Sequence, residues 1–295
     1  MAGRGGVRDA VVIVVALCLL VSAPGTAFAA VGDPDTSFDV DGIRTLDLGS
    51  ASDVGWAVAL LASGKIVVAG TTVGSASGTE DFAVARFHSN GALDTSFGDH
   101  GRRIVGFESG GLASDDFSFA MAVQSDGKIV VGGMTMANDG SFVRDLALIR
   151  LKKGGDLDAT FGVGGRVITD VAGGSDNARA IAFQPDGKIV VGGKAGDYAL
   201  VARYGTGGVL DGTFAGDGTR EFRFGRFEND ANGVALQPDG KIVVAGTKEG
   251  ANFDFGVARL KPGGGLDSTF SGDGKVVTDV SSTDRSWESS RGLFR

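Results

Sequence analysis

The side chains in this sequence that could do chemistry are regularly spaced aspartates and arginines together with two histidines, His88 and His100. Asp35, Asp94, Asp158, Asp211 and Asp267 each open the same block, D-x-[ST]-F-x-x-x-G. Regularly spaced carboxylates could hold calcium. A calcium loop needs D-x-[DN]-x-[DN]-G, which points several oxygens into one tight turn. The nearest approach, Asp33-Pro34-Asp35-Thr36-Ser37, is followed by Phe38 where that glycine should stand. An Asp with Ser or Thr two places on instead caps its own backbone. We therefore expect structural turns at these aspartates and assign no metal ligands.

Arg86, Arg150, Arg203 and Arg259 each close an apolar stretch, one per unit, so they form no clustered anion site. They are expected to pair with acidic neighbours between units. A hydrolytic triad would need a positioned Ser and Asp around a histidine, and no G-x-S-x-G nucleophile turn occurs. His88 and His100 read as exposed loop residues. Glycine runs such as Pro262-Gly263-Gly264-Gly265 are turns between strands, without the helix start that binds phosphate. Sugar-binding faces stack on exposed Trp or Tyr, but Trp56, Trp287, Tyr198 and Tyr204 all lie in repeat strands or at their starts. No catalytic, cofactor-binding or metal residue is assigned.

The chain has a net charge of −8, with charges scattered and no long runs. Nucleic acid and anionic membrane surfaces call for a basic patch, so neither is an expected partner. Glycine makes up 51 of 295 residues while proline is scarce. Glycine at more than twice its usual share of about 7%, among many Val and Ile, predicts numerous short strands joined by tight turns.

These elements repeat. Gly-Lys-Ile-Val-Val recurs with its lysines at Lys65, Lys128, Lys188 and Lys241. It keeps a fixed order with the D-x-[ST]-F block and with the stretch ending in Arg. Each unit reads as four strands, illustrated by Arg166 to Val171, Ala180 to Gln184, Lys188 to Gly192 and Ala199 to Tyr204. Gln184-Pro185-Asp186-Gly187 joins the second and third as a hairpin turn. Asp126-Gly127 and Asp239-Gly240 repeat that device, and Ser63-Gly64 is a weaker form. Ile-Val-Val-[Ala/Gly]-Gly lacks polar alternation, so both faces of that strand should be buried. The glycine pair should permit close approach where units crowd. In the third copy Asp197 stands one place early relative to Arg203, a spacing that suggests a bulge. The expected fold is all-β, a β-propeller-like array of four-stranded antiparallel blades with four complete repeats and a truncated fifth. A β-solenoid is the alternative.

At these blocks the chain resembles the delta-60 repeat family of bacterial secreted proteins. The shared signature is L-D-x-[ST]-F-x-x-x-G, then A-x-[AF]-[LF]-Q-x-D-G-K-I-V-V-[AG]-G, then D-[FLY]-A-[LV]-A-R. The first copy departs from it with Pro34 in place of the leucine found at Leu93, Leu157, Leu210 and Leu266. The resemblance implies a propeller-like fold and carries no activity and no catalytic residues.

Residues 1–29 read as a signal peptide: Arg4 and Arg8, the apolar run Val11 to Ala23, then Ala27-Phe28-Ala29. The run is shorter than the roughly 20 residues a bilayer span needs. Cys18, the single cysteine, sits inside it rather than at its end as a lipid-modified Cys would. A secreted product without disulfides is expected. The repeat domain spans 30–280, with repeats at about 33–91, 92–155, 156–208 and 209–264 and a partial one at 265–280. Residues 281–295 form an irregular tail. There, Asp284-Arg285-Ser286-Trp287 matches Asp53-Val54-Gly55-Trp56, but no second strand follows. We expect a truncated or frame-shifted product of a longer array, with a spare final strand and open sheet edges; a closed four-bladed ring is the alternative.

Two loops per unit vary, among them Thr71 to Asp81, Gly106 to Asp116, Met134 to Asp145, Lys194 to Asp197, Gly225 to Asp230 and Thr247 to Asp254. An up-and-down sheet places all of these on one face and the Asp-Gly turns and D-x-[ST]-F corners on the other. The expected function is a secreted, noncatalytic scaffold binding a protein or surface ligand through the variable loops, without a cofactor. A self-associating envelope or adhesive protein is the alternative, ahead of a hydrolase or lyase with a site in the central channel.

Overall fold

The structure, a computed structural model, describes residues 33–279 apart from 50–51, 74–77, 110–111, 138–141, 172, 227–228 and 250–252. The signal segment with Cys18 and the tail with Trp287 lie outside the described residues. Among those described there is no helix, and so none long and apolar enough to cross a membrane.

The first sheet comprises β1 (Asp53–Leu60), β2 (Ile66–Val73), β3 (Glu80–Phe87) and β4 (Arg102–Val105). The second comprises β5 (Glu108–Ser109), β6 (Leu112–Val123), β7 (Ile129–Ala137), β8 (Arg144–Leu151) and β9 (Arg166–Thr169). β10 (Asp176–Phe183), β11 (Ile189–Ala195), β12 (Tyr198–Tyr204) and β13 (Thr219–Phe222) form the third. β14 (Asn229–Leu236), β15 (Ile242–Glu249), β16 (Phe253–Leu260) and β17 (Lys275–Thr278) form the fourth. Each is an antiparallel meander, as the hairpin signals require.

The Ile-Val-Val strands lie second among the four main strands of each sheet, and Ile129, Val130 and Val131 are buried on both faces. Among the described residues three hydrophobic clusters hold the array together, one at each junction of successive sheets, and none joins the fourth sheet to the first. The sheets are therefore stacked like propeller blades but not closed into a ring. The first full strands of successive sheets, β1, β6, β10 and β14, contact one another and so run innermost.

The phase of the sheets corrects the sequence reading. Arg166 to Thr169 was expected to open the third unit, yet β9 pairs with β8 and completes the second sheet. In the same way Lys275–Thr278 pairs with β16 and finishes the fourth sheet, so it is no spare strand. The piece without a sheet is at the other end: the Asp35–Gly42 corner and residues 43–48, where no strand forms. That corner rests on the first sheet, the Asp39 amide donating to the Asn90 carbonyl at 3.0 Å. The bulge expected near Asp197 is also absent. β11 and β12 pair in unbroken register around a two-residue turn in which Gly196 takes φ +52°.

Irregularities sit elsewhere, on the first full strand of every sheet. The register slips between Gly55 and Ala57, Ser118 and Ala120, Ala178 and Ala180, and Ala231 and Gly233. Directly opposite stands the second glycine of each Ile-Val-Val motif. A Cβ on Gly70, Gly133, Gly193 or Gly246 would lie 1.9, 1.8, 1.9 or 1.9 Å from a carbonyl oxygen of the bulged strand. The close approach expected between units is thus, for this glycine, within one sheet. The first glycine does face the next unit: a Cβ on Gly192 would meet Val234 at 2.5 Å.

Candidate functional site

The two ends of the stacked sheets differ in how their polar residues are used. At one end lie the Asp-Gly hairpins and the D-x-[ST]-F corners. Asp158 Oδ1 accepts from the Thr160 amide and hydroxyl, while Oδ2 accepts from Arg150 Nε at 2.9 Å. Arg150 also stacks over Phe161, with its guanidinium carbon 4.6 Å from the ring centre, and donates from Nη1 to the Thr206 carbonyl of the next sheet. Asp94 with Arg86 and Asp211 with Arg203 repeat the arrangement, and those arginines reach Lys153 and Pro262 carbonyls. The recurring arginines were expected to find acids across units. They find them within their own sheet, eight residues on, and cross the junction to backbone instead. Burial opposes ionisation of Asp158, but hydrogen bonds from Thr160 and the charges of Arg150 and Lys128 outweigh it and hold its pKa at about 2.

Corner phenylalanines Phe97, Phe161 and Phe214 are fully buried at these junctions, whereas Phe38 and Phe270, outside any junction, are half-buried. His100 is exposed in a left-handed turn at φ +51°, and His88 is half-exposed with Nε2 3.8 Å from Asp94. Neither histidine is joined by a serine in any nucleophilic arrangement among the described contacts.

The variable loops lie together at the opposite end, as antiparallel pairing demands, and two groupings there were not foreseen. The first follows from the bulges. A bulge re-aims a side chain and is common beside functional sites. The bulged residues Trp56, Phe119, Arg179 and Asn232 occupy equivalent places on the innermost strands. Trp56 and Phe119 meet edge to face with ring centres 6.1 Å apart, and the Arg179 guanidinium lies 5.6 Å from the Phe119 ring centre. Trp56 is substantially exposed. The sequence placed it in a strand and stopped there; only aligning the first strands position by position would have shown this row.

The second grouping is acidic. Asp145, Asp170 and Asp176 bring one oxygen each within 4.8 Å of one another where the second and third sheets meet. Asp176 is 1% exposed, and its Oδ2 accepts from the Val171 amide at 2.5 Å. Burial, reinforced by the charges of Asp170 and Asp145, pushes its pKa up to about 6. Asp145 is raised by burial and by Asp170. At the preceding junction Asp116 is likewise lifted to about 6, chiefly by burial. A shallow groove of about 240 Å³ extends from Asp170 along Val171, Leu210, Asp217, Thr219 and Glu221. These acids come from three separate strand ends, so no local motif announces them.

Four stretches, residues 61–97, 124–161, 184–214 and 237–270, match a family described as a β-propeller domain of unknown function (DUF5122). Each runs from the hairpin turn to the corner phenylalanine. No curated protein matches the chain. Among solved structures, a protein of unknown function from Dyadobacter fermentans is 14% identical over 75% of this chain and 63% of its own, with a TM-score of 0.46. An ulvan lyase is 11% identical over 72% of this chain and 53% of its own, with a TM-score of 0.49. A catalytically inactive virginiamycin B lyase from Staphylococcus aureus is 12% identical over 76% and 72%, with a TM-score of 0.36. The chain thus spans less than two thirds of the length of the first of these. With meander sheets stacked at their junctions, the chain is a β-propeller-like array of four complete sheets among the described residues, and four of its stretches are similar to the DUF5122 β-propeller model.

Proposed function

We propose that the protein is an exported, noncatalytic repeat scaffold that binds a protein or surface ligand through the loops at its variable end. One contrast carries this reading. At the corner end the recurring aspartates and arginines are engaged with one another and with backbone, whereas the opposite loops change in length and charge from unit to unit. Loops held by rigid strands are where recognition concentrates. The acidic balance of the chain favours partners other than nucleic acid. Export is inferred from the apolar run before Ala27-Phe28-Ala29. The test is retention of the fluorescently labelled mature chain on the producing cells and their extracellular matrix. Replacing residues 138–143 and the turn Gly196–Asp197 by Gly-Ser runs of equal length should cut retention about tenfold, a loss of about 1.4 kcal/mol, without moving the melting temperature. Unchanged retention sinks the reading.

A second reading, head-to-tail self-association, is favoured by the outward face of the fourth sheet. Phe255 is 63% exposed there, while Ala199, its counterpart in the third sheet, is fully covered by the next sheet. Val243 is likewise only half-buried where its counterpart Val190 is fully buried. Val58 and Leu60 are exposed on the first sheet. Sedimentation velocity over rising concentration should show species heavier than the monomer, and Phe255→Asp should abolish them. A monomer at every concentration removes this reading.

A further inference from the structure

We propose that Asp145, Asp170 and Asp176 bind one calcium ion at the junction of the second and third sheets. Their ligand oxygens lie within 4.8 Å of one another. That span suits an ion whose oxygens sit about 2.3–2.6 Å away. The set is all oxygen, which selects a hard cation over zinc or copper.

Proximity of acids alone would not make a site, but Asp176 adds an independent sign. Its Oδ2 is committed to the Val171 amide, whereas its buried Oδ1 has no hydrogen-bond partner among the described residues. A buried carboxylate oxygen without a partner is costly and marks the place of an ion or water. No ion pair to Lys or Arg is formed by any of the three among the described residues.

The other junctions supply an internal comparison, because the same three positions recur in them. Between the third and fourth sheets they are Tyr198, Arg223 and Asn229. There the chain brings its own cation: the Arg223 guanidinium lies 4.0 Å from the Tyr198 ring centre. Asn229 takes the place of Asp176, its Oδ1 accepting from the Phe224 amide at 2.8 Å. Between the first and second sheets the positions are Asp81, Gly106 and Asp116, one carboxylate fewer. So of the two junctions that bring no cation of their own to these positions, the one between the second and third sheets holds three acids, and Arg223 shows that this location tolerates positive charge.

Asp170 is exposed, which leaves one side open for water to complete the 6–8 ligands calcium takes. Magnesium, with its strict octahedron at about 2.0–2.1 Å, is a poorer match to ligands from three separate strand ends. The site does not depend on the loops binding a ligand.

The experiment uses the full mature chain, stripped with EDTA and titrated with calcium chloride by calorimetry and thermal melting. At about 10 mM calcium the melting temperature should rise by roughly 3–8 °C, given millimolar-range or tighter affinity and a chain of this size. Asp145→Asn and Asp176→Asn should lose that rise. Asp176→Asn should still fold, since Asn229 does the same capping in the fourth sheet. Asp81→Asn at the neighbouring junction should keep the rise. Absence of binding heat and of any rise overturns the proposal, as does a rise that survives in both Asn variants. A rise with magnesium equal to that with calcium overturns the choice of ion.

Discussion

Replacing Arg150 with alanine should destabilise the folded chain by about 3–5 kcal/mol, the usual loss when one partner of a buried ion pair is removed. Arg150 is 5% exposed at its side chain and Asp158 is 4%. Truncation leaves the Asp158 carboxylate dry with only Lys128, 3.5 Å away, to balance it. It also strips the stacking partner from a fully buried Phe161 and the donor from the Thr206 carbonyl across the junction. Arg259 offers a built-in comparison. It holds Asp267 and Thr269 in the same way but reaches no further sheet among the described residues, and its side chain is 20% exposed. Arg259→Ala also uncovers a dry carboxylate, Asp267 being 2% exposed at its side chain, but it forfeits no junction bond and should cost about 1–2 kcal/mol less. Urea melts of both variants decide the matter. In a stacked array stability is a sum of unit and junction terms, so equal losses would mean that the arginines serve the corners alone and that the junction bond contributes little.

Gly193→Ala should cost about 3 kcal/mol or more, at the upper end for overpacking. The new methyl would stand 1.9 Å from the Asn177 carbonyl oxygen and 2.9 Å from its carbon. Backbone cannot swing aside as a side chain can, so relief would require undoing the bulge at Ala178/Ala180 and with it the placement of Arg179. The adjacent Gly192→Ala is the control. Its methyl meets Val234 Cγ2, a side-chain atom that can shift, and the first and fourth sheets carry Ala69 and Ala245 at that position. It should lose no more than about 1–2 kcal/mol. Thermal melts of the two variants would separate the roles; a Gly193→Ala protein as stable as Gly192→Ala would show that the bulge is not fixed by this contact.

How much was legible beforehand depends on whether a feature is local. Pro185-Asp186-Gly187 announces a hairpin because φ preferences act over neighbouring residues. Ile189-Val190-Val191 announces a strand covered on both faces because no polar residue alternates with the apolar ones. Asp158-Ala159-Thr160 announces a capped turn for the same local reason. From these the sequence by itself determined an all-β array of four-stranded units, with variable loops at one end and constant turns at the other.

What it left open were matters of phase and of distance. A repeat reads the same wherever it is cut, so only the hydrogen bonds of β9 to β8 and of β17 to β16 decide which strand closes which sheet. The bulges on the first full strands follow from pairing register, not composition, and Trp56, Phe119 and Arg179 meet at the bulged positions. Asp145, Asp170 and Asp176 belong to a strand start, a strand end and the next strand start. The stacking of two sheets converges them, and packing between elements distant in sequence leaves no local signature.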